Sequence, residues 1–200
     1  MPLPCTRRAL LGSAMAFSLV PAMARAAKLN DDGLHVQDWF LESFLDLKQD
    51  IEDAAAKGKR VAITFEQRGC IYCTEMHEKH LANATISGYV RRHFEVIQLN
   101  QFGAREVTDL DGKVLPEKEM ARRWAVTSTP TILFLPEKPV SGAAHNVASA
   151  RMRGLLPQPA FLAMFRFVAE KQYDKMDFPA YAKQQEAALA KAIAAGAPIN

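Results

Sequence analysis

Cysteine is scarce in this sequence: Cys5, Cys70 and Cys73 are the only three in 200 residues. That excludes a disulfide-stapled scaffold, which carries cysteines in dense paired sets. The sequence also lacks an internal repeat, a glycine-rich phosphate loop and a second cluster of metal-ligating side chains. An excess of one charge is missing as well. There are 25 basic and 22 acidic residues, and Arg7, Arg8 and Arg25 lie in residues 1–26, which contain no acid. Without those three arginines the two signs are equal at 22 each. A neutral body has no electrostatic footprint for nucleic acid, so nucleic acid is not expected as a partner. What is present is a globular composition, 49% hydrophobic and 24% charged, in a length suited to one domain.

Residues 1–26 read as a cleavable export signal. Arg7 and Arg8 form a basic start, residues 9–24 are apolar and uncharged, and Ala24-Arg25-Ala26 is a small-x-small cleavage site. That order is the pattern of a secretory signal peptide, with the cut expected after Ala26. Gly12 and Pro21 interrupt the apolar stretch, which is short for a bilayer span of roughly 20 residues. Thr6-Arg7-Arg8-Ala9-Leu10-Leu11 resembles a twin-arginine signal. The mature chain, residues 27–200, is expected in the periplasm. Cys5 precedes the apolar run and is discarded with the leader.

Two cysteines then remain, as Cys70-Ile71-Tyr72-Cys73. A loop this short gains little stability from being closed. Redox exchange is the better use for such a pair, so the redox-active group is the Cys70–Cys73 disulfide itself, with no further cofactor. Arg60 to Phe65 is a β-branched run that reads as a buried strand, Gly69 permits a turn, and Thr74 to Leu81 reads as a helix. A cysteine at a helix start faces unpaired N–H groups, which favour the attacking thiolate. Zinc ligation by Cys70, Cys73, His77 and His80 is the competing reading. All four come from one short segment, however, whereas structural zinc pairs normally come from two, and no metal site is expected. Haem attachment needs His directly after the second cysteine, and Thr74 stands there. His77, one turn beyond Cys73, is the histidine placed to tune the thiols.

Around the motif, Val36, Trp39, Phe40, Phe44, Leu47 and Ile51 recur at helical spacing, with caps at Asn30-Asp31-Asp32. This predicts a helix over about 35–57 that ends at Gly58. A helix running to about 93, a strand at 94–99 and a polar segment at 102–116 follow. In that segment Asp111-Gly112 signals a hairpin. A helix at 117–124, strands at 131–135 and 148–154, a helix around 161–168 and a last helix at 178–195 complete the reading. The alanine-rich part of that last helix also reads as a tail.

This order, with Cys70-Ile71-Tyr72-Cys73 and Ser128-Thr129-Pro130-Thr131 in their places, resembles the thioredoxin fold across about residues 34–172. The resemblance implies an α/β protein: a central mixed sheet flanked by helices, here with an inserted hairpin-like segment and an extra C-terminal helix. It further implies a cis Pro130 beside the dithiol, with Thr129 and Pro130 contacting substrate. The Pro130 carbonyl and the Thr129 N–H are the groups expected to face it. Phe65 to Cys73, Met76-His77 and Arg105 to Gly112 are similar to the periplasmic SoxW-type thioredoxins of bacterial sulfur-oxidation systems. That resemblance implies a reductase of periplasmic protein disulfides, including a sulfur-carrier protein, recharged by a membrane dithiol electron transporter; the protein is expected to be a monomer.

Several positions depart from the thioredoxin pattern. Ile71-Tyr72 replaces Gly-Pro, Gly69 replaces Trp, and Thr64 stands where a buried Asp is usual. Glu66 or Glu75 is the expected substitute proton carrier, with Arg68, Tyr72 and His77 as further tuning residues. Arg68 is expected to acidify Cys70. Because Thr129 resembles the disulfide isomerases, an isomerase or oxidant remains the alternative, and a non-catalytic chaperone-like module the third.

Overall fold

The computed structural model describes residues 28–199, so the leader and its cleavage site lie outside the described residues. A central sheet carries four strands: β3 (Arg60–Glu66), β4 (Phe94–Asn100), β7 (Thr131–Phe134) and β8 (Ala150–Arg153). The order is β4-β3-β7-β8, with β3 and β4 parallel and the other two pairings antiparallel. This is the expected mixed sheet. β3 is buried along its whole length, as its continuous run from Val61 to Phe65 predicts.

The two faces of β3 follow its parity. Val61, Ile63 and Phe65 join Ile97, Leu99 and Leu133 under α1 (Leu47–Ala56), α4 (Glu117–Arg123) and the short α5 (Ala144–Val147). Ala62 faces the other way, with Val96, Ile132 and Phe134, under α3 (Ala84–His93), α6 (Gln158–Ala169) and α7 (Phe178–Ala195). Thr64 and Glu66 fall on that second face. The last helix expected at 178–195 is present as α7, its alanine-rich part included, rather than as a tail. Tyr181, Leu189 and Ile193 are buried, and the Tyr181 hydroxyl donates to Glu170 Oε2 at 2.9 Å. Among the described residues no helix is long and apolar enough to cross a membrane.

The N-terminal expectation needs correction. Residues 35–57 do not form one helix. β1 (Lys28–Leu29) and β2 (His35–Val36) pair as a small hairpin, and α1 begins only at Leu47. Asn30, expected as a helix cap, holds the turn: its side chain accepts from Leu34 N–H, its carbonyl accepts from Gly33 N–H, and Gly33 takes φ 73°. Leu45 has φ 63°, which a helix excludes, and Asp46 caps α1 by accepting from Lys48 and Gln49 N–H. Phe44, counted in the apolar stripe, is fully exposed.

The helix after the cysteines is also interrupted. α2 (Ile71–Glu75) runs into a π turn at Met76–His80, and the Asn83 side chain caps a new start by accepting from Thr85 and Ile86 N–H. The inserted segment is a hairpin as expected, with β5 (Glu106–Thr108) antiparallel to β6 (Val114–Pro116) and Gly112 at φ 79° in the turn.

Candidate redox site

Strand β3 ends at Glu66, and Gln67 to Gly69 turn the chain into α2. Gly69 takes φ 74°, a conformation that favours glycine. Cys70 and Cys73 are disulfide-bonded, with Cα atoms 5.2 Å apart. Cys70 is the N-cap of α2, and its sulfur accepts from Cys73 N–H at 3.1 Å. The cysteines differ in access: Cys70 is 8% exposed and Cys73 2%. Ile71 and Tyr72 between them are exposed. Cys70 Sγ lies 3.5 Å from the Thr129 carbonyl oxygen. The Thr129–Pro130 bond is cis, as expected.

Behind the dithiol, Glu66 and His77 are both buried and meet each other. His77 Nε2 is 3.1 Å from both carboxylate oxygens of Glu66. The Thr64 hydroxyl donates to Glu66 Oε1 at 3.4 Å. Two of the anticipated tuning residues therefore form one unit, under the helix that carries Cys73. Their meeting was legible in the parity of β3, which sends Glu66 to the face where Met76, next to His77 in the π turn, is packed.

The chain matches the thioredoxin-like domain model over residues 47–169, well over half its length. It belongs to the thioredoxin-like domain family. No curated protein is significantly similar to it. Among solved structures it is similar to a thioredoxin-fold protein from Helicobacter pylori, at 23% identity and TM-score 0.49, covering 74% of this chain and 96% of that one. It is similar to a thioredoxin from Thermus thermophilus at 27% identity and TM-score 0.48, covering 63% and 85%. A disulphide isomerase from Xylella fastidiosa matches at 12% identity and TM-score 0.39, covering 79% and 95%. With an intact Cys-x-x-Cys disulfide in a thioredoxin-like domain, the protein is a thiol–disulfide oxidoreductase.

Within this thioredoxin-like frame three expected roles change. Arg68 is exposed, and its Nε donates to the Asp32 carbonyl at 2.9 Å, which commits the guanidinium to the β1–β2 turn rather than to Cys70. Glu75 is partly exposed and pairs with Lys79 at 3.0 Å on the helix surface, away from the buried acid–base unit. The Pro130 carbonyl already accepts from Gly154 N–H at 2.8 Å, so the sheet edge uses it. Among the described residues no hydrogen bond reaches the Thr129 N–H, which leaves it free to donate to an incoming strand. The four side chains of the zinc reading are not gathered: the cysteines bond each other, His77 meets Glu66, and His80 Nε2 is 2.9 Å from the Leu156 carbonyl.

The sequence reading missed Gln37, His35 and Thr74. Gln37 Nε2 is 3.2 Å from His77 Nδ1, and His35 Nε2 is 3.0 Å from Thr74 Oγ1. Asp32-Gly33 is the same kind of hairpin signal as Asp111-Gly112 and would have placed both residues beside a turn rather than on a helix.

Proposed function

We propose that the protein is a periplasmic, thioredoxin-like reductant of protein disulfides. Cys70 attacks the substrate disulfide and Cys73 resolves the mixed disulfide. The observation that carries this reading is the asymmetry of the pair: the Cys70 sulfur, the less buried of the two, sits at the N-cap of α2 and already receives the Cys73 N–H, which favours its thiolate, and Cys73 lies deeper. The exposed Ile71 and Tyr72 and the free Thr129 N–H suit an extended polypeptide rather than a small thiol. Cleavage of the leader after Ala26 delivers the chain to the periplasm.

In an oxidising compartment the disulfide left after each turnover needs an external reductant, and a membrane dithiol electron transporter fits that need. The SoxW-like motifs favour a sulfur-carrier protein among the substrates, with the oxidoreductase working as a monomer. Thr129 before Pro130 favours the second reading, an isomerase or oxidant with the same nucleophile. Cys73→Ser expressed with its export signal tests the roles. It should accumulate mixed disulfides through Cys70 with periplasmic proteins, whereas Cys70→Ser should accumulate few. Trapping through Cys73 instead would overturn the assignment.

A further inference from the structure

Residues 28–46 precede the span that matches the family, yet this arm is bonded to the redox site at three points. Gln37 Nε2–H donates to His77 Nδ1 at 3.2 Å, and His35 Nε2 meets the Thr74 hydroxyl at 3.0 Å. Arg68 Nε donates to the Asp32 carbonyl. From the sheet, Gln98 Nε2 donates to the His35 carbonyl at 2.6 Å and holds β2 in place. The Phe40 ring lies 5.6 Å from the His77 ring and the His35 ring 5.8 Å from it. The arm thus forms one wall of the chamber that buries His77.

The contacts fix how His77 carries its proton. An amide N–H donating to Nδ1 requires that nitrogen to be bare, so the proton sits on Nε2 and points at the Glu66 carboxylate. The titratable groups facing His77 are Glu66 from β3 and His35 from the arm; Gln37 and Phe40 face it uncharged. Cys73 and His77 are four residues apart where α2 runs into the π turn, and both are buried, at 2% and 1% exposure.

We infer that the arm is part of the redox centre: Gln37 and His35 are positioning residues that hold Glu66–His77 as the acid–base pair serving Cys73. The inference rests on the oxidoreductase reading of the dithiol. In the mixed disulfide Cys70 is bonded to the substrate sulfur and Cys73 is a thiol. Cys73 gives its proton to the Glu66–His77 pair, and its sulfur electron pair forms the bond to Cys70. The Cys70–substrate bond breaks, and its electron pair leaves with the substrate thiolate, which takes a proton from water. The proton held by the pair returns to Cys73 when the disulfide is next reduced.

The test uses the full-length chain, reduced and mixed with insulin from pH 5 to 9, with acid quenching to measure the mixed disulfide on Cys70. Gln37→Leu, close in volume, should prolong that intermediate about tenfold at neutral pH and displace the pH inflection of its decay. Glu66→Gln should remove the inflection, and His35→Gln should displace it less than Gln37→Leu does. Iodoacetamide should alkylate Cys70 at the wild-type rate in Gln37→Leu, and a slowed alkylation there would place the effect on the nucleophile and overturn the inference. An unchanged lifetime and pH profile in Gln37→Leu overturns the inference, even if Glu66→Gln fails to fold. A wild-type chain that reduces no insulin and forms no mixed disulfide overturns the oxidoreductase reading itself, and this inference with it.

Discussion

The inserted hairpin at residues 102–116 and the N-terminal arm at residues 28–46 are both tied to the domain through buried polar groups, but their bonds end in different places. In the insert, Asp109 is buried and accepts from Trp124 Nε1 at 2.9 Å, Ala144 N–H at 2.7 Å and Leu110 N–H at 2.8 Å. Glu117, also buried, accepts from Asn100 N–H and pairs with Arg105 at 2.6 Å. Leu110 and Arg105 belong to the insert itself, Trp124, Ala144 and Asn100 are framework, and none of these partners belongs to the dithiol helix. The arm is also held by the framework, through Gln98 and Val96, but unlike the insert it reaches Arg68, Thr74 and His77, around the cysteines. Similar chemistry therefore supports two jobs, stiffening in one region and positioning in the other, and the identity of the partner decides which.

The comparison sharpens most at Asp109. Asp109→Ala strands the buried Trp124 indole N–H and the Ala144 N–H, at a cost of about 3 kcal/mol or more. Urea unfolding should show that loss, while the reduction potential of the Cys70–Cys73 pair stays at the wild-type value. A shifted potential would break the distinction between the two regions. Next comes Gly103→Ala. An added Cβ would overlap Glu117 Oε2, with Glu117 Cδ at 2.7 Å and the Asn100 Cβ at 2.9 Å. Overpacking of this kind costs about 1–3 kcal/mol, readable in the same unfolding curves.

Both regions also show what a linear reading captures. The strands, the two motifs and the hairpin at Asp111-Gly112 were legible because each is a local signal: a β-branched run, a spacing, a turn dipeptide. The arm was not, because apolar residues from Val36 to Ile51 mimic a helical stripe by coincidence. Leu45 with φ 63° and the exposed Phe44 show that no helix exploits it. Arg68 lies close to Cys70 in sequence, and its commitment to Asp32 depends on a hairpin that folds back on it from 36 residues away. The Pro130 carbonyl is consumed by Gly154, beyond the end of β8, a pairing that only the assembled sheet reveals.

Smaller effects separate the regions from the arm's side. Gln37→Leu should change the unfolding free energy by about 1–2 kcal/mol, since it removes both hydrogen bonds from the Gln37 amide to His77 and leaves the buried Nδ1 without a donor. Its effect belongs in the kinetics of resolution, and a large stability loss with unchanged kinetics would make the arm a stiffener like the insert. The smallest expected effect is a pH dependence. The Arg123 guanidinium hydrogen-bonded to Asp111 holds that carboxyl below the usual carboxylate range. A depressed folded-state value means stability that is present above the unfolded-state value of about 3.9 and is lost as pH falls through the folded one. Wild-type and Asp111→Asn midpoints in urea should therefore differ slightly at pH 6 and converge at the acid end. A gap that persists there would remove the ion pair from the account.

The equilibrium reduction potential of the dithiol against a glutathione or dithiothreitol buffer tests the proposed reductant role most directly. A potential near −270 mV, about that of thioredoxin, is the predicted result. A potential near −120 mV, about that of the oxidant DsbA, would contradict it.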